Sequence, residues 1–161
     1  MRAAEADIGS IWDRLAFFSD DQDAQNARLS RLEQNVIQLT LSDGYLFDTG
    51  SADLRPEALN RLKQVSAILA EYPDLQLVVA GHTDSRGTKT FNRELSQRRA
   101  RAVADVLFES GLSADQIQAV GFGEEQPIAS NQNVAGRQQN RRVTITIAQG
   151  DNADARAQLA Q

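Results

Sequence analysis

The sequence predicts an α+β domain, a two-layer α/β sandwich with a four-stranded sheet and its helices packed on one face. Two kinds of repeat lead to this. In one, Ile37, Leu39 and Leu41 alternate with Gln38 and Thr40, and Val143, Ile145 and Ile147 alternate with Thr144 and Thr146, the period-two mark of strands with one apolar face. In the other, Leu59, Leu62, Val65 and Leu69, then Leu95, Ala102, Val103 and Val106, recur at helical spacing. Their order is β-α-β-α-β-β, and alternation rather than continuous hydrophobicity implies that only one sheet face is covered by helices. A chain of 161 residues with 41% hydrophobic residues can bury one core of this kind.

Taken in order, Ile8, Ile11, Trp12 and Leu15 predict an amphipathic helix over about residues 3–18. Ser19-Asp20-Asp21 reads as its end and as the cap of a second helical piece reaching about Gln34. Residues 1–35 are therefore an N-terminal helical extension, 36–148 the domain, and 149–161 a flexible C-terminal tail rich in Ala, Gln and Asp. The extension is either a tether that meets a partner protein or a segment packed on the domain. Exposure of Trp12, Phe17 and Phe18 would favour the first, burial the second.

Within the domain, the strand from Val36 is ended by Ser42-Asp43-Gly44, and a loop from Leu46 to Ala52 leads to a helix with Pro56 near its start and Pro73 as its stop. A strand at about 75–80 gives way to Gly81-His82-Thr83-Asp84, followed by a helix over 92–110 that ends near Gly111. A short strand at about 116–120, an irregular stretch marked by Gly121-Phe122-Gly123 and Pro127, a short helix at 134–139 and a last strand complete the run.

Composition narrows the function. With 17 Lys+Arg against 22 Asp+Glu the net charge is −5, which argues against nucleic acid or an anionic membrane surface as the partner. The charge is uneven, since residues 131–148 hold Arg137, Arg141 and Arg142 with no acid. There are no cysteines and one histidine, so neither a thiolate site nor a histidine-rich metal site can be assembled, and His82-x-Asp84 alone lacks further ligands. His82 is expected to cap a strand end by hydrogen bonds. Gly121-x-Gly123 opens no helix, and no nucleophile stands beside a credible base, so neither a nucleotide loop nor an enzyme is indicated. No run of 18 apolar residues is present, so any membrane attachment would come from an upstream anchor.

Arg99 is the informative residue. It falls in the middle of the apolar stripe of its helix, with Asn92 on the same face, and a guanidinium aimed at a core must find a partner or a ligand. Asp84, at the end of the preceding strand, is the nearest upstream acid able to converge on it. The two form either a structural ion pair or a pocket with one charge of each sign, suited to a zwitterion.

Gly81-His82-Thr83-Asp84, Asn92, Leu95-Ser96-x-x-Arg99-Ala100, Gly121-x-Gly123, Pro127, Asn131, Gly136-Arg137 and Asn140-Arg141-Arg142-Val143 together resemble the OmpA-like peptidoglycan-binding domain. The resemblance runs from about Val36 to Ala148. It implies a mixed sheet with an antiparallel last strand, and noncovalent binding of the meso-diaminopimelate in the wall's stem peptide, with no cofactor and no catalysis. Carried over by position, Asp84 would take the ligand's ammonium and Arg99 its carboxylate. Asn92 would orient or contact the ligand, Phe47 and Asp48 would close one wall, and Arg141 would lie at the edge, with Arg142 next to it in the motif. The resemblance also implies a periplasmic location, attached to the outer membrane in the full-length protein, with peptidoglycan as partner.

Overall fold

The computed structural model describes residues 8–16 and 26–149. Its centre is a five-stranded mixed sheet in the order β1-β2-β5-β3-β4, formed by β1 (Ala27–Glu33), β2 (Val36–Ser42), β3 (Gln76–His82), β4 (Ile117–Gly123) and β5 (Arg142–Ala148). Only β3 and β4 run parallel; the last strand is antiparallel to both of its neighbours. Helices α1 (Ile8–Leu15), α3 (Pro56–Leu69) and α4 (Lys89–Glu109) share one core with the sheet, α2 (Asp43–Leu46) is a single turn after β2, and α5 (Val134–Asn140) leads into β5.

The strand missing from the sequence reading is β1. Its residues were expected to be helical, and Leu29 and Leu32 do stand at helical spacing, but they pair antiparallel with β2 from Ala27↔Leu41 to Glu33↔Val36. Gln34 and Asn35 make the two-residue connection without the glycine that usually announces such a hairpin. Pairing wins because it buries Ala27 and Leu29 against the same core as β2, while Arg28 and Leu32 turn outward. The sheet therefore has five strands and not four.

The described part of the extension also joins the core. Ile8, Ile11 and Leu15 are buried, Trp12 is partly buried against them, and Arg14 reaches Glu71 and Tyr72 beyond the end of α3 with contacts of 2.6–3.1 Å. Phe17 and Phe18, like residues 3–7 and the tail beyond Gln149, lie outside the described residues.

Glycines set how closely α4 approaches the sheet. A Cβ on Gly81 would stand 2.2 Å from the Ser96 carbonyl oxygen, and one on Gly121 would stand 2.4 Å from the Gln97 nitrogen. The gap is closed by hydrogen bonds instead: Gly121 N–H donates to Gln97 Oε1 at 2.8 Å and Gly123 N–H to Ser96 Oγ at 2.9 Å. This contact fixes the height of α4 above the sheet in the turn that precedes Arg99. Gly81→Ala should cost about 2 kcal/mol or more, because backbone must move to admit the methyl group. Gly44→Ala, where nothing lies within 4 Å, should be nearly neutral. Urea denaturation of the two variants checks this, and equal midpoints would contradict it.

Candidate ligand-binding site

Arg99 is buried as its helical position requires, with a side chain only 4% exposed. Its partner is not Asp84. Nη1 donates to Asp43 Oδ2 at 2.9 Å, Nε to the Ser51 carbonyl at 2.8 Å and Nη2 to the Asp48 carbonyl at 3.4 Å. The guanidinium carbon lies 4.8 Å from the Phe47 ring centroid, a cation–π contact in which the buried ring forms a floor beneath the charge.

Asp84 is met by Arg141 instead, whose Nη1 stands 2.6 Å from Oδ2, while Oδ1 accepts the Arg86 amide at 2.9 Å. Arg141 Nε in turn lies 3.7 Å from Asp43 Oδ1. The four side chains form a chain of alternating sign, Arg99–Asp43–Arg141–Asp84. Burial falls away from Arg99 toward solvent at the middle of that chain, where the Asp43 and Arg141 side chains are 19% and 32% exposed.

The other expected residues surround this chain. Asn92 is buried, and its Nδ2 lies 3.3 Å from the Asp84 carbonyl, 2.9 Å from the Arg86 carbonyl and 3.3 Å from Glu124 Oε1. It thus holds the backbone of the Asp84 loop. The Asp48 carboxylate is exposed and 3.9 Å from Arg55 Nε, so this residue meets Arg99 through its carbonyl alone. Arg142 goes elsewhere: it donates to the Asn140 and Gln126 carbonyls at 3.1 and 3.0 Å, away from the Asp84 site.

Two residues that sequence reasoning did not single out build the site. Asp43 was read as the punctuation of a strand end, yet it bridges both arginines. A charge count was the available signal, because Arg99 and Arg141 bring two positive charges to the site and Asp84 supplies one acid. Asn140 was noticed only within a motif. Fully buried, it accepts from the Ile128 and Ala129 amides at 2.8 and 2.9 Å and donates to Ala129 O and Asn131 Oδ1 at 2.9 and 2.8 Å. Both acceptor sites and both donors are used, so the 128–131 loop is pinned beside the residue that carries Arg141.

His82 departs from its expected role. The ring stacks on Phe122 with centroids 5.4 Å apart, and its buried Nδ1 has no hydrogen-bond partner among the described residues. Burial, reinforced by the positive charge of Arg142, pushes its pKa down to about 3. Among the described residues no group of three His, Cys, Asp or Glu side chains converges to hold a metal.

Known proteins share this framework. The sequence model of the OmpA family matches residues 46–141. The chain is 37% identical over 142 residues to a protein named Probable lipoprotein YiaD from Escherichia coli K12, covering 83% of this chain and 64% of that protein. It is 33% identical over 114 residues to the peptidoglycan-associated lipoprotein of Agrobacterium fabrum, covering 71% and 64%. The chain thus spans just under two thirds of the length of both relatives. Among solved structures, the cell wall anchor of the T6SS from Pseudomonas aeruginosa aligns with a TM-score of 0.73 at 34% identity, over 84% of this chain and 97% of that one. Motif order, sheet topology and these matches agree, and the chain belongs to the OmpA family.

Proposed function

We propose that this domain binds peptidoglycan noncovalently through the meso-diaminopimelate of the stem peptide and so anchors an envelope protein to the cell wall. Asp84 takes the ammonium of the diamino acid and Arg99 its carboxylate. The observation that carries this reading is the alternating chain of two cations and two anions, which a zwitterion can enter by exchanging partners. Arg141, a third exposed, releases Asp84 to the ligand's ammonium and meets its carboxylate from the outer side. Arg99 has one unassigned N–H on each Nη, because its other three donors go to Asp43, Ser51 and Asp48. Those two N–H groups suit a bidentate grip on a carboxylate. Asn92 keeps the Asp84 loop in place, Phe47 supports the guanidinium, and the exposed Asp48 side chain stands at the rim.

Such a site recognises without turnover. Charged hydrogen bonds are worth about 1.5–3 kcal/mol each. After the cost of association this corresponds to affinities on the order of micromolar to millimolar. A polymer that repeats the ligand compensates by rebinding. The wall-anchor relative and the peptidoglycan-associated lipoprotein, similar to this chain over most of its length, support the same conclusion. The reading carries with it a periplasmic location and attachment to the outer membrane; among the described residues no helix is long and apolar enough to cross a membrane.

Co-sedimentation with isolated sacculi tests the proposal. The wild-type chain should pellet with the wall, free meso-diaminopimelate should release it, and Asp84→Ala and Arg99→Ala should remain in the supernatant. Pelleting that survives both substitutions and the competitor would refute the pocket, and release of soluble wall fragments would replace binding by catalysis.

A further inference from the structure

The sheet face opposite α1, α3 and α4 carries a second polar site, which adjoins the charged chain at Arg141. Strand register sets its composition. Ser42, Arg142 and His82 lie side by side across β2, β5 and β3, and Arg28, Thr40, Thr144 and Ala80 form the next row. All of them point away from the core-facing residues between them. Two adjoining cavities of about 480 and 270 Å³ open over these rows, and Arg28, Thr40, Ile128 and Arg142 line both.

Two buried groups here have unmet capacity. Arg142 is more than nine-tenths buried, yet its partners are two neutral carbonyls, and among the described residues no carboxylate pairs with it. Burial draws its pKa down to about 10, with no acid acting against that shift. His82, equally buried beside it, has no partner for Nδ1 among the described residues. Buried polar groups are ordinarily satisfied, and a buried cation held by dipoles alone is under-compensated. Around them stand the exposed Arg28, the hydroxyls of Thr40, Ser42 and Thr144, and an apolar wall of Phe122 and Ile128. Glu33, at the far hairpin end, is the single acid on either lining among the described residues.

We propose that this face is an oxyanion-binding site, with Arg142 and Arg28 gripping the carboxylate or phosphate of a hydroxylated ligand, the hydroxyl row meeting its remaining polar groups, and the His82 ring lying in the wall beside them. Consecutive residues differ in what they meet: Arg141 also lines the larger cavity but gives its guanidinium to Asp84, whereas Arg142 has no acid among the described residues. A purely structural tie between the Asn140 and Gln126 carbonyls needs no charge, whereas an oxyanion supplies the negative partner that the guanidinium lacks.

The single histidine makes the test direct, since its ring Cε1–H and Cδ2–H signals report on one site. The full chain is titrated at constant ionic strength with glucuronate, glucose 1-phosphate and inorganic phosphate, with glucose and chloride as references. Saturable movement of the His82 signals is expected with glucuronate or glucose 1-phosphate, and whichever acts identifies the oxyanion as carboxylate or phosphate. Arg28→Gln, an exposed change that leaves folding untouched, should weaken the response about tenfold. Arg142→Gln should abolish it, and Arg99→Lys, which disables only the diaminopimelate grip, should leave it intact. Absence of saturation, indifference to Arg28→Gln, or loss in Arg99→Lys would each overturn the proposal.

Discussion

Arg99→Lys should lose wall binding by about ten- to a hundredfold while the domain stays folded, and Arg99→Ala should lose both binding and stability. A lysine ammonium can still face Asp43 and sit over Phe47, so the charge that balances the acid is kept. What disappears is the planar fork, and with it the paired N–H groups offered to a carboxylate. The ammonium can still donate to one carboxylate oxygen, so the net loss is one charge-assisted hydrogen bond of about 1.5–3 kcal/mol, which corresponds to that range of affinity. Alanine removes the charge as well, leaving Asp43 with Arg141 at 3.7 Å and a void above the Phe47 ring. Breaking a buried pair by deleting one partner costs about 3–5 kcal/mol, and the part-exposed setting of Asp43 favours the lower end. Calorimetric titration with diaminopimelate and urea denaturation separate the two effects. Unchanged affinity in Arg99→Lys would remove the fork from the mechanism.

Asp43→Asn and Asp84→Asn should divide the two acids into a structural one and a ligand-contacting one. Asp43 accepts from a guanidinium that is 4% exposed, so its neutralisation leaves Arg99 buried without a carboxylate, at a cost of about 3 kcal/mol. Asp84 pairs with Arg141, which is 32% exposed and can turn to water, so Asp84→Asn should cost no more than about 1 kcal/mol. Binding should behave differently: Asp84→Asn removes the acceptor for the ammonium and loses the wall, even though the domain is nearly as stable as before. Urea midpoints and sacculus sedimentation of the two variants give the comparison. Equal destabilisation would mean that the burial gradient along the charged chain does not govern its energetics.

Which arginine each acid meets could not be read from spacing. Asp84 and Arg99 were legible, one because it follows an apolar run that must end, the other because it interrupts a helical stripe. Their joint neighbourhood was legible too, since both stand at the same end of the sheet. The pairing was not, because Asp43 is 56 positions from Arg99 and Asp84 is 57 from Arg141. Those contacts arise only once β5 lies between β2 and β3. In the same way β1 resembled a helix in isolation, because Leu29 and Leu32 fit either period and only the presence of β2's edge favours extension.

Local chemistry in the chain determines the helices and the alternating strands, the inward guanidinium, the acid at a strand end, the glycines that admit close packing, and through their order the family. Periodicity, caps and breakers act within a few residues, so they survive without knowledge of what lies opposite. Tertiary structure alone decides that a fifth strand joins the sheet, that Asp43 balances Arg99, and that Arg141 meets Asp84 while Arg142 meets only carbonyls. Those outcomes depend on which charge and which edge remain unmet after the chain has folded back on itself, and no local pattern records that.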